Sequence, residues 1–385
     1  MRGETAVSFV ALKMLTGDRA KYFGLIFAIA FTSFLLANQI SIFIGIMTRP
    51  ASQIRDVVDA DIWVMDPQTL YSDEVYALRD YELYRVRSVP GVKWAVPLYK
   101  GLGRAKAPDG KFRTVILMGL DDATLVGAPR KMLLGSIYSL RQPDAAIIDR
   151  AGYQYFFPGE PLQVGETLQM NERRVLIVGI SDASAPFQSF PVLHTRYSQA
   201  LGFVGRERNL LSFVLAKPAA GVSIGEVCQR IEAATGLRAR SASEFSRDAF
   251  RFYMRNTGIP VNFGITVMIA LIVGTVVAGE TFYIFTIENL KRFGTFKATG
   301  VTNRRIVAMI LLQALVVAGT GFALGMAMAA AFFSITVNYL PTRGIVLPWQ
   351  VMTSIAAVVL FVVGLASLMS IRRVLVLEPA VVFRS

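Results

Sequence analysis

The sequence has a single cysteine, Cys228, and a single histidine, His194. One cysteine excludes a disulfide within the chain, so every folded domain of this chain must be held together by its own hydrophobic core. One histidine and one cysteine, without a cluster of carboxylates, argue against a zinc or iron site. We therefore expect His194 to be a structural or solvent-exposed residue rather than a catalytic one.

Two common catalytic and nucleotide-binding motifs are also missing. No phosphate-binding loop of the form GxxxxGK[ST] occurs, and the nearest stretch, which begins at Gly127, lacks the Gly-Lys-Ser/Thr core. No GxSxG elbow frames a serine. We therefore predict that this chain is not an enzyme and that it holds no cofactor of its own.

Charge is scarce, because charged residues make up only 17% of the sequence, against about 25% in ordinary soluble domains. The shortage is concentrated in four nearly uncharged windows. These windows are residues 22–47, 261–287, 306–337 and 349–371. Each exceeds the roughly 20 apolar residues that a helix needs to cross a membrane. The windows therefore predict an α-helical membrane protein with four transmembrane helices.

The formal net charge of +13 is distributed unevenly. Residues 1–21, 288–305 and 372–385 together hold twelve Lys/Arg against four Asp/Glu, whereas residues 48–260 hold 27 against 22. Excess Lys/Arg in short segments marks the cytoplasmic side of a membrane protein. We therefore expect a cytoplasmic amphipathic helix at the start, a cytoplasmic loop, a cytoplasmic tail and a short outer loop at 338–348. The charge fits lipid headgroups rather than nucleic acid.

Residues 48–260 form the predicted outer domain, in which apolar runs bounded by Gly and Pro alternate with two helical patterns. The predicted helices are 73–89 and 223–235, and the predicted strands are 60–65, 92–99, 113–119, 145–149, 168–170, 174–180, 210–216 and 237–240. Strand–helix–strand units at both ends enclose a middle part, about 120–205, of mostly short strands and turns. The pattern predicts a large α+β extracytoplasmic domain with a β-rich insertion.

The segment 286–300, TIENLKRFGTFKATG, joins the second apolar window to the third. It is basic and partly amphipathic. The basic residues in and just after it are Lys291, Arg292, Lys297, Arg304 and Arg305. It is too short for a domain and too patterned for a simple linker. We therefore expect a short helix that contacts a cytoplasmic partner.

Glu280 is an acid inside the second apolar window. Such a residue costs on the order of 2.5–3.5 kcal/mol on insertion scales and usually faces a bundle interior or a partner. Two interpretations stay open. Glu280 contacts a polar headgroup or locks a conformation inside the bundle, or the helix runs past the membrane and Glu280 lies near the inner interface.

Small residues in the apolar windows predict close helix packing. Gly321 and Gly325, which follow Gly319 in the third window, have the small-xxx-small spacing. Gly274 and Ala278 repeat that spacing in the second window. Small residues let two helices approach closely, either within one bundle or between two copies of the chain.

The chain resembles the permease subunits of type VII ABC transporters, the MacB/FtsX/LolC superfamily, and is most similar to the DevC branch. The resemblance covers nearly the whole length. It is carried by the run Glu288-Asn-Leu-Lys-Arg-Phe-Gly-Thr-Phe-Lys-Ala-Thr-Gly300, which matches a family pattern Glu-x5-Gly-x2-(Lys/Arg)-Ala-x-Gly, and by a basic tail with Pro379 and Arg384. Gln313 stands where many relatives have Glu, which makes it a second polar candidate in the membrane.

The resemblance implies a coupling helix around residues 293–302, with Gly294 and Gly300 at its ends, that docks on a separate ATPase. The implied docking residues are Glu288, Lys291, Arg292, Phe293, Gly294, Phe296, Lys297, Gly300 and Thr302. The ATPase would bind ATP and Mg²⁺, and two permeases would assemble with two ATPases in a bacterial inner membrane. The outer domain would be a ferredoxin-like porter module that contacts a periplasmic adaptor and, through it, an outer-membrane duct.

Three functions follow as alternatives. The first is an ATP-driven exporter of a lipid, glycolipid or other amphiphile that works by mechanotransmission. The second is an FtsX-like regulator that activates a cell-wall hydrolase without transport. The third is a membrane-anchored enzyme, which the missing catalytic motifs argue against. The size of the outer domain favours the exporter.

Overall fold

The computed structural model describes residues 2–17, 19–205, 210–337 and 339–376. The chain divides into two compact units. The helical unit comprises Met1–Ile44, Gly258–Thr336 and Ile345–Ser385, and the sheet unit comprises Gly45–Thr257 together with Val337–Gly344. Most of the predicted tail, including Pro379 and Arg384, lies outside the described residues.

The elements of both units follow in chain order. The helices are α1 (Arg2–Gly17), α2 (Arg19–Thr48), α3 (Ser52–Asp56), α4 (Asp80–Arg87), α5 (Arg150–Phe156), α6 (Tyr197–Phe203), α7 (Ile224–Thr235), α8 (Ala242–Asn256), α9 (Ile259–Glu288), α10 (Leu290–Ala298), α11 (Asn303–Thr336) and α12 (Trp349–Val376). The strands are β1 (Ile62–Met65), β2 (Leu78–Arg79), β3 (Val92–Lys106), β4 (Phe112–Leu120), β5 (Met132–Gly135), β6 (Ala145–Asp149), β7 (Thr167–Met170), β8 (Arg173–Ser181), β9 (Val192–Arg196), β10 (Leu210–Leu211), β11 (Phe213–Pro218) and β12 (Arg238–Ser241).

Four helices among the described residues are long and apolar enough to cross a membrane, which confirms the prediction from the uncharged windows. Their candidate spans are Tyr22–Asp56, Ile259–Glu288, Asn303–Thr336 and Trp349–Leu368. The buried centre of the helical unit draws small and branched side chains from all four, such as Leu36, Ala278, Val317 and Val359. Many other apolar side chains stay exposed, as expected for surfaces that face lipid.

The sheet unit contains one sheet of ten strands. Nine of them pair in the order β12-β1-β11-β3-β4-β9-β6-β8-β5, and the tenth, β7, pairs with both β3 and β8. The four strands β12, β1, β11 and β3 are all antiparallel to their neighbours. With α4 and α7 as the two crossover helices, this is the ferredoxin-like order that the resemblance implies. The α+β prediction for the outer domain is confirmed.

Strand β1 is buried on both faces, which explains its uninterrupted apolar sequence IWVM. Ile62 and Val64 pack in the cluster that contains α4 and α7, whereas Trp63 and Met65 pack with residues of α8. The helix α8 begins with a capping box, because the Ser241 hydroxyl accepts from the backbone of the third helical residue and that residue, Glu244, accepts in return.

The insertion lies between β3 and β11 and extends the same sheet through the long hairpin of β3 and β4. It contains the short helices α5 and α6 as well as short strands and turns, and the sequence pattern did not predict these two helices. The helix predicted for 73–89 was also too long. Only Asp80–Arg87 is helical, because Leu78–Arg79 pairs with β10 as a strand.

Candidate functional site

The helix α10 ends in a Schellman motif, which fixes how the chain turns into α11. The Val301 N–H donates to the Phe296 carbonyl at 3.0 Å, and the Gly300 N–H donates to the Lys297 carbonyl at 3.2 Å. Gly300 has φ of +88°, a conformation that glycine adopts without strain. Phe296 and Val301 both pack on the same apolar cluster, which is the contact that accompanies this motif.

The buried aromatic side chain of Phe293 is the main anchor of α10 in the helical unit, and half-buried Leu290 and Phe296 pack against the same cluster. Phe293 is only 1% exposed. It lies in a cluster with Ala11 and Met14 of α1, with residues at the start of α11, and with Ile371 near the end of α12. A displacement of α10 would therefore act on three other helices through this cluster, in which Phe293 is the most deeply buried side chain of α10.

The opposite face of α10 is open and basic. Lys291 and Arg292 are exposed, and the Arg292 guanidinium donates to the Asn289 side-chain oxygen at 3.0 Å. Glu288, Gly300 and Thr302 are also exposed, and Phe296 and Lys297 are half-buried.

Gly294 is buried within the helix. The expectation that it ends the helix was wrong, because α10 begins at Leu290.

The two polar candidates of the membrane helices occupy different environments. Gln313 on α11 is fully buried, and its side-chain N–H donates to the Ala11 carbonyl of α1 at 2.8 Å. Its side-chain oxygen has no partner among the described residues. Glu280 on α9 is exposed at the surface of the unit. Gln313 therefore ties two helices together, whereas Glu280 does not face the interior of the bundle formed by one chain.

Three of the four glycines lie at helix contacts. A Cβ built on Gly325 would meet the Ala30 carbonyl oxygen at 2.5 Å, and one on Gly321 would meet the Ile29 Cβ at 2.8 Å. One on Gly274 would meet the side chain of Thr32. Each of these contacts is with α2, so α2 is the helix against which α9 and α11 approach closely. At Gly319 a Cβ would meet no described atom within 4 Å.

His194 is buried in the sheet unit, on β9, rather than solvent-exposed. Its Nδ1 has no hydrogen-bond partner within the described ranges. Burial lowers the pKa of His194 from its ordinary value of 6.5 to about 4, so the imidazole is neutral at pH 7. In the part of the chain that is described, no group of three His, Cys, Asp or Glu side chains is arranged to hold a metal ion.

The single histidine predicts a simple acid dependence. The unfolded chain binds a proton near pH 6.5 and the folded chain only near pH 4, so stability falls as the pH is lowered between these values. We expect a loss of about 3 kcal/mol across this window. In His194→Leu this contribution should vanish, measured as the difference in unfolding free energy between pH 7 and pH 4. Identical pH dependence in the two proteins would contradict a neutral buried histidine.

The structure also shows a buried polar cluster that the sequence does not suggest. Asp149, at 1% exposure, accepts from the Arg343 guanidinium and from the Gly152 and Val192 amides. Arg49 is buried beside it and donates to the Arg343 carbonyl at 3.1 Å. Arg343 is the only charged residue of the sequence segment 338–348.

A helical unit with four apolar spans, interrupted after the first of them by an α+β sheet unit, defines a multi-pass membrane protein with one large extracytoplasmic domain. Two family models together match most of the chain. The model of the MacB-like periplasmic core domain matches residues 23–234, and the model of the FtsX-like permease C-terminal matches residues 249–379. The chain belongs to the MacB/FtsX superfamily.

Curated relatives carry names from the same class. An uncharacterized ABC transporter permease of Mycobacterium bovis is 28% identical over 224 residues, which cover 57% of this chain and 58% of the relative. An uncharacterized ABC transporter permease of Mycobacterium tuberculosis is 26% identical over 311 residues, which cover 79% of this chain and 78% of the relative. The first match thus spans less than two thirds of the length of that relative.

Solved structures with some likeness to the chain correspond to about half of it. The periplasmic region of MacB from Actinobacillus actinomycetemcomitans is 13% identical, with a TM-score of 0.38, and covers 50% of this chain and 94% of its own. The extracellular domain of the noncanonic ABC-type transporter YknZ from Gram-positive bacteria is 12% identical, with a TM-score of 0.35. The match covers 47% of this chain and 98% of the YknZ domain. At these scores neither adds to the fold described above.

Proposed function

We propose that this chain is the membrane subunit of an ATP-driven ABC transporter and that α10 is the coupling helix on which a separate ATPase acts. The observation that carries this proposal is the contrast between the two faces of α10. One face is anchored by Phe293 to three other helices, while the other presents Lys291 and Arg292. A short rigid helix of this kind transmits a push from a partner to the spans.

The need for a separate ATPase follows from the sequence. The chain has no phosphate-binding loop, so ATP and Mg²⁺ are bound by the partner. The relatives named as ABC transporter permeases support the same division of labour. On this proposal both termini and residues 288–305 are cytoplasmic, and residues 48–260 and 338–348 lie on the opposite side of the inner membrane.

The finer features of the function also remain proposals. The complex holds two copies of this chain and two ATPases. ATP binding draws the ATPases together, and the motion reaches the outer domain by mechanotransmission. The cargo is a lipid, glycolipid or other amphiphile, as in the DevC branch, and a periplasmic adaptor leads it to an outer-membrane duct.

The proposal is tested by isolating the tagged chain in mild detergent and identifying the proteins and lipids that co-purify. We expect an ABC ATPase. In the variant Lys291→Glu/Arg292→Glu, recovery of the ATPase should fall by roughly tenfold or more, because reversed charges oppose the partner's surface. The matched control is Arg251→Glu/Arg255→Glu, which makes the same charge change at exposed positions of α8.

Recovery of no ATPase with the unaltered chain would refute the proposal. Equal recovery with both charge-reversed variants would refute the assignment of α10. An ATPase accompanied by a cell-wall hydrolase, with no adaptor, would replace transport by the regulatory alternative.

A further inference from the structure

The buried cluster around Arg49 and Arg343 has no part in the proposed coupling. Both arginines belong to the sheet unit, and their exposures are only 7% and 6%. The Arg49 guanidinium donates to the carbonyl of Pro341 at 2.8 Å, to the carbonyl of Arg343 at 3.1 Å and to the Ser189 hydroxyl at 3.2 Å. These are all uncharged acceptors. Arg49 thus has no carboxylate partner among the described residues.

The cluster carries more positive than negative charge in its buried part. Arg343 is paired with Asp149. The buried part of the cluster thus holds two guanidinium groups and one carboxylate. The half-buried Asp56 carboxylate accepts from the backbone and hydroxyl of Ser184. Burial, and after it the charge of Arg49, lower the pKa of Arg343 to about 10, while Asp56 opposes this shift. An added anion would relieve the repulsion between the two arginines.

A cavity of about 210 Å³ lies against these arginines, within the sheet unit. A water molecule takes about 30 Å³ in the liquid, so the space holds a considerably larger group. The polar side chains of its lining are three arginines and three hydroxyls, and none of the described lining residues is acidic. They are Arg49, Arg55, Arg343, Thr48, Ser52 and Ser184.

Two residues that line the cavity, Arg343 and Ser52, have buried donor atoms without an acceptor. The Nε and Nη2 atoms of Arg343 are buried and lack hydrogen-bond partners in the described chain. The same is true of the Ser52 hydroxyl. Leaving a buried donor unsatisfied costs about 1–3 kcal/mol, and more for a charged group. Such groups next to an acid-free cavity are what a site for an anionic oxygen-rich ligand requires.

We propose that this cavity binds the phosphate of a phospholipid headgroup. Arginine forks match phosphate oxygens in charge and geometry, and the unpartnered Ser52 hydroxyl can donate to a further oxygen. The lipid source follows from the positions of the arginines along the chain. Arg49 is the first charged residue after the uncharged run that starts at Tyr22, and Arg343 lies in the short connection between α11 and α12. Charged residues at such positions lie at headgroup level.

The test measures binding to the purified full-length chain, with its co-purified subunits, in an uncharged maltoside detergent. The probes are dioctanoyl-phosphatidylglycerol, neutral dioctanoylglycerol and inorganic phosphate. The binding of each probe is measured by native mass spectrometry and by titration calorimetry. We expect the phospholipid to bind more tightly than either of the others. Arg49→Gln should weaken its binding roughly 10- to 100-fold, the range for a hydrogen bond to a charged group.

Ser52→Ala guards against misfolding, because the Ser52 hydroxyl has no partner in the described residues and its removal breaks no bond. It should weaken phospholipid binding several-fold without lowering the unfolding temperature, since it removes an unsatisfied buried donor. Arg251→Gln, at an exposed position of α8, is the matched control and should bind like the unaltered chain.

Two results would overturn the inference. If inorganic phosphate binds as tightly as the phospholipid and responds to the same variants, the site recognises free phosphate and the lipid source is wrong. If the phospholipid binds no better than dioctanoylglycerol, or if Arg251→Gln weakens it as much as Arg49→Gln, the cavity is not an anion site. Neither result bears on the ATPase or on α10, so the proposed function would stand.

Discussion

Asp149→Asn is expected to lower the unfolding free energy of the sheet unit by about 3–5 kcal/mol. Asp149 accepts from the amides of Gly152 and Val192 through different carboxylate oxygens. Asn keeps the shape of the side chain but only one of these two acceptors. It removes the charge that compensates Arg343, which is 6% exposed and would become a buried unpaired cation. The measurement is denaturant unfolding of the full chain in detergent, followed by tryptophan fluorescence, because Trp63 lies in the core of this unit.

The matched control is Asp144→Asn, the same chemical change at an exposed ion pair of the same unit. Asp144 is 3.8 Å from Arg174, and both side chains are largely accessible, so the loss should stay below about 1 kcal/mol. The double variant Asp149→Asn/Arg343→Met should recover part of the stability, because it removes both charges together but still lacks one acceptor oxygen. If Asp149→Asn and Asp144→Asn lower the unfolding free energy equally, then the loss of Asp149 does not leave Arg343 as a costly unpaired charge.

The elements that the sequence predicted well are those specified by a single local property. The four spans follow from the absence of charge over more than 20 residues, which the hydrocarbon core requires. Strand β6 was predicted with its observed bounds, because its five residues are all buried and turn residues flank them. The helix α7 was predicted within one residue, with Ser223 as its N-cap.

The errors arise where distant residues decide the local structure. Asp73 is not helical, and its carboxylate instead pairs with buried Lys100, 27 residues away, at 2.5 Å. The helix α8 is a different case, because its signals were present and were not used. Ser241 and Glu244 have capping-box spacing, and Phe245 and Ala249 follow at helical spacing.

The candidate sites differ in the same way. The segment of α10 is recognisable in sequence because its basic residues and its Glu-x5-Gly-x2-Lys-Ala-x-Gly pattern are contiguous. The cavity beside Arg49 and Arg343 cannot be recognised in the sequence. Arg343 lies 294 positions after Arg49 and 194 positions after Asp149. No local pattern relates them, and only the fold brings them to one cavity.

Phe293→Ala is expected to remove the mechanical link between α10 and the spans. Truncation of a buried Phe costs about 3–5 kcal/mol, and Phe293 is 1% exposed within a cluster from α1, α11 and α12. The charged face of α10 keeps Lys291 and Arg292, so the ATPase should still bind. The measurement is ATP hydrolysis by the complex in vesicles, where stimulation by the membrane subunit should fall at least tenfold while co-purification is retained.

Phe27→Ala supplies the matched control, because Phe27 lies on α2 and is 67% exposed, so its truncation leaves no cavity. Phe293→Leu should restore much of the stimulation, since it keeps an apolar side chain in the cluster. This pattern separates coupling from docking: charge reversal on α10 loses the ATPase itself, whereas Phe293→Ala keeps the ATPase and loses its effect. If Phe293→Ala and Phe27→Ala behave alike, α10 does not act through Phe293, and motion would have to reach the spans by another contact.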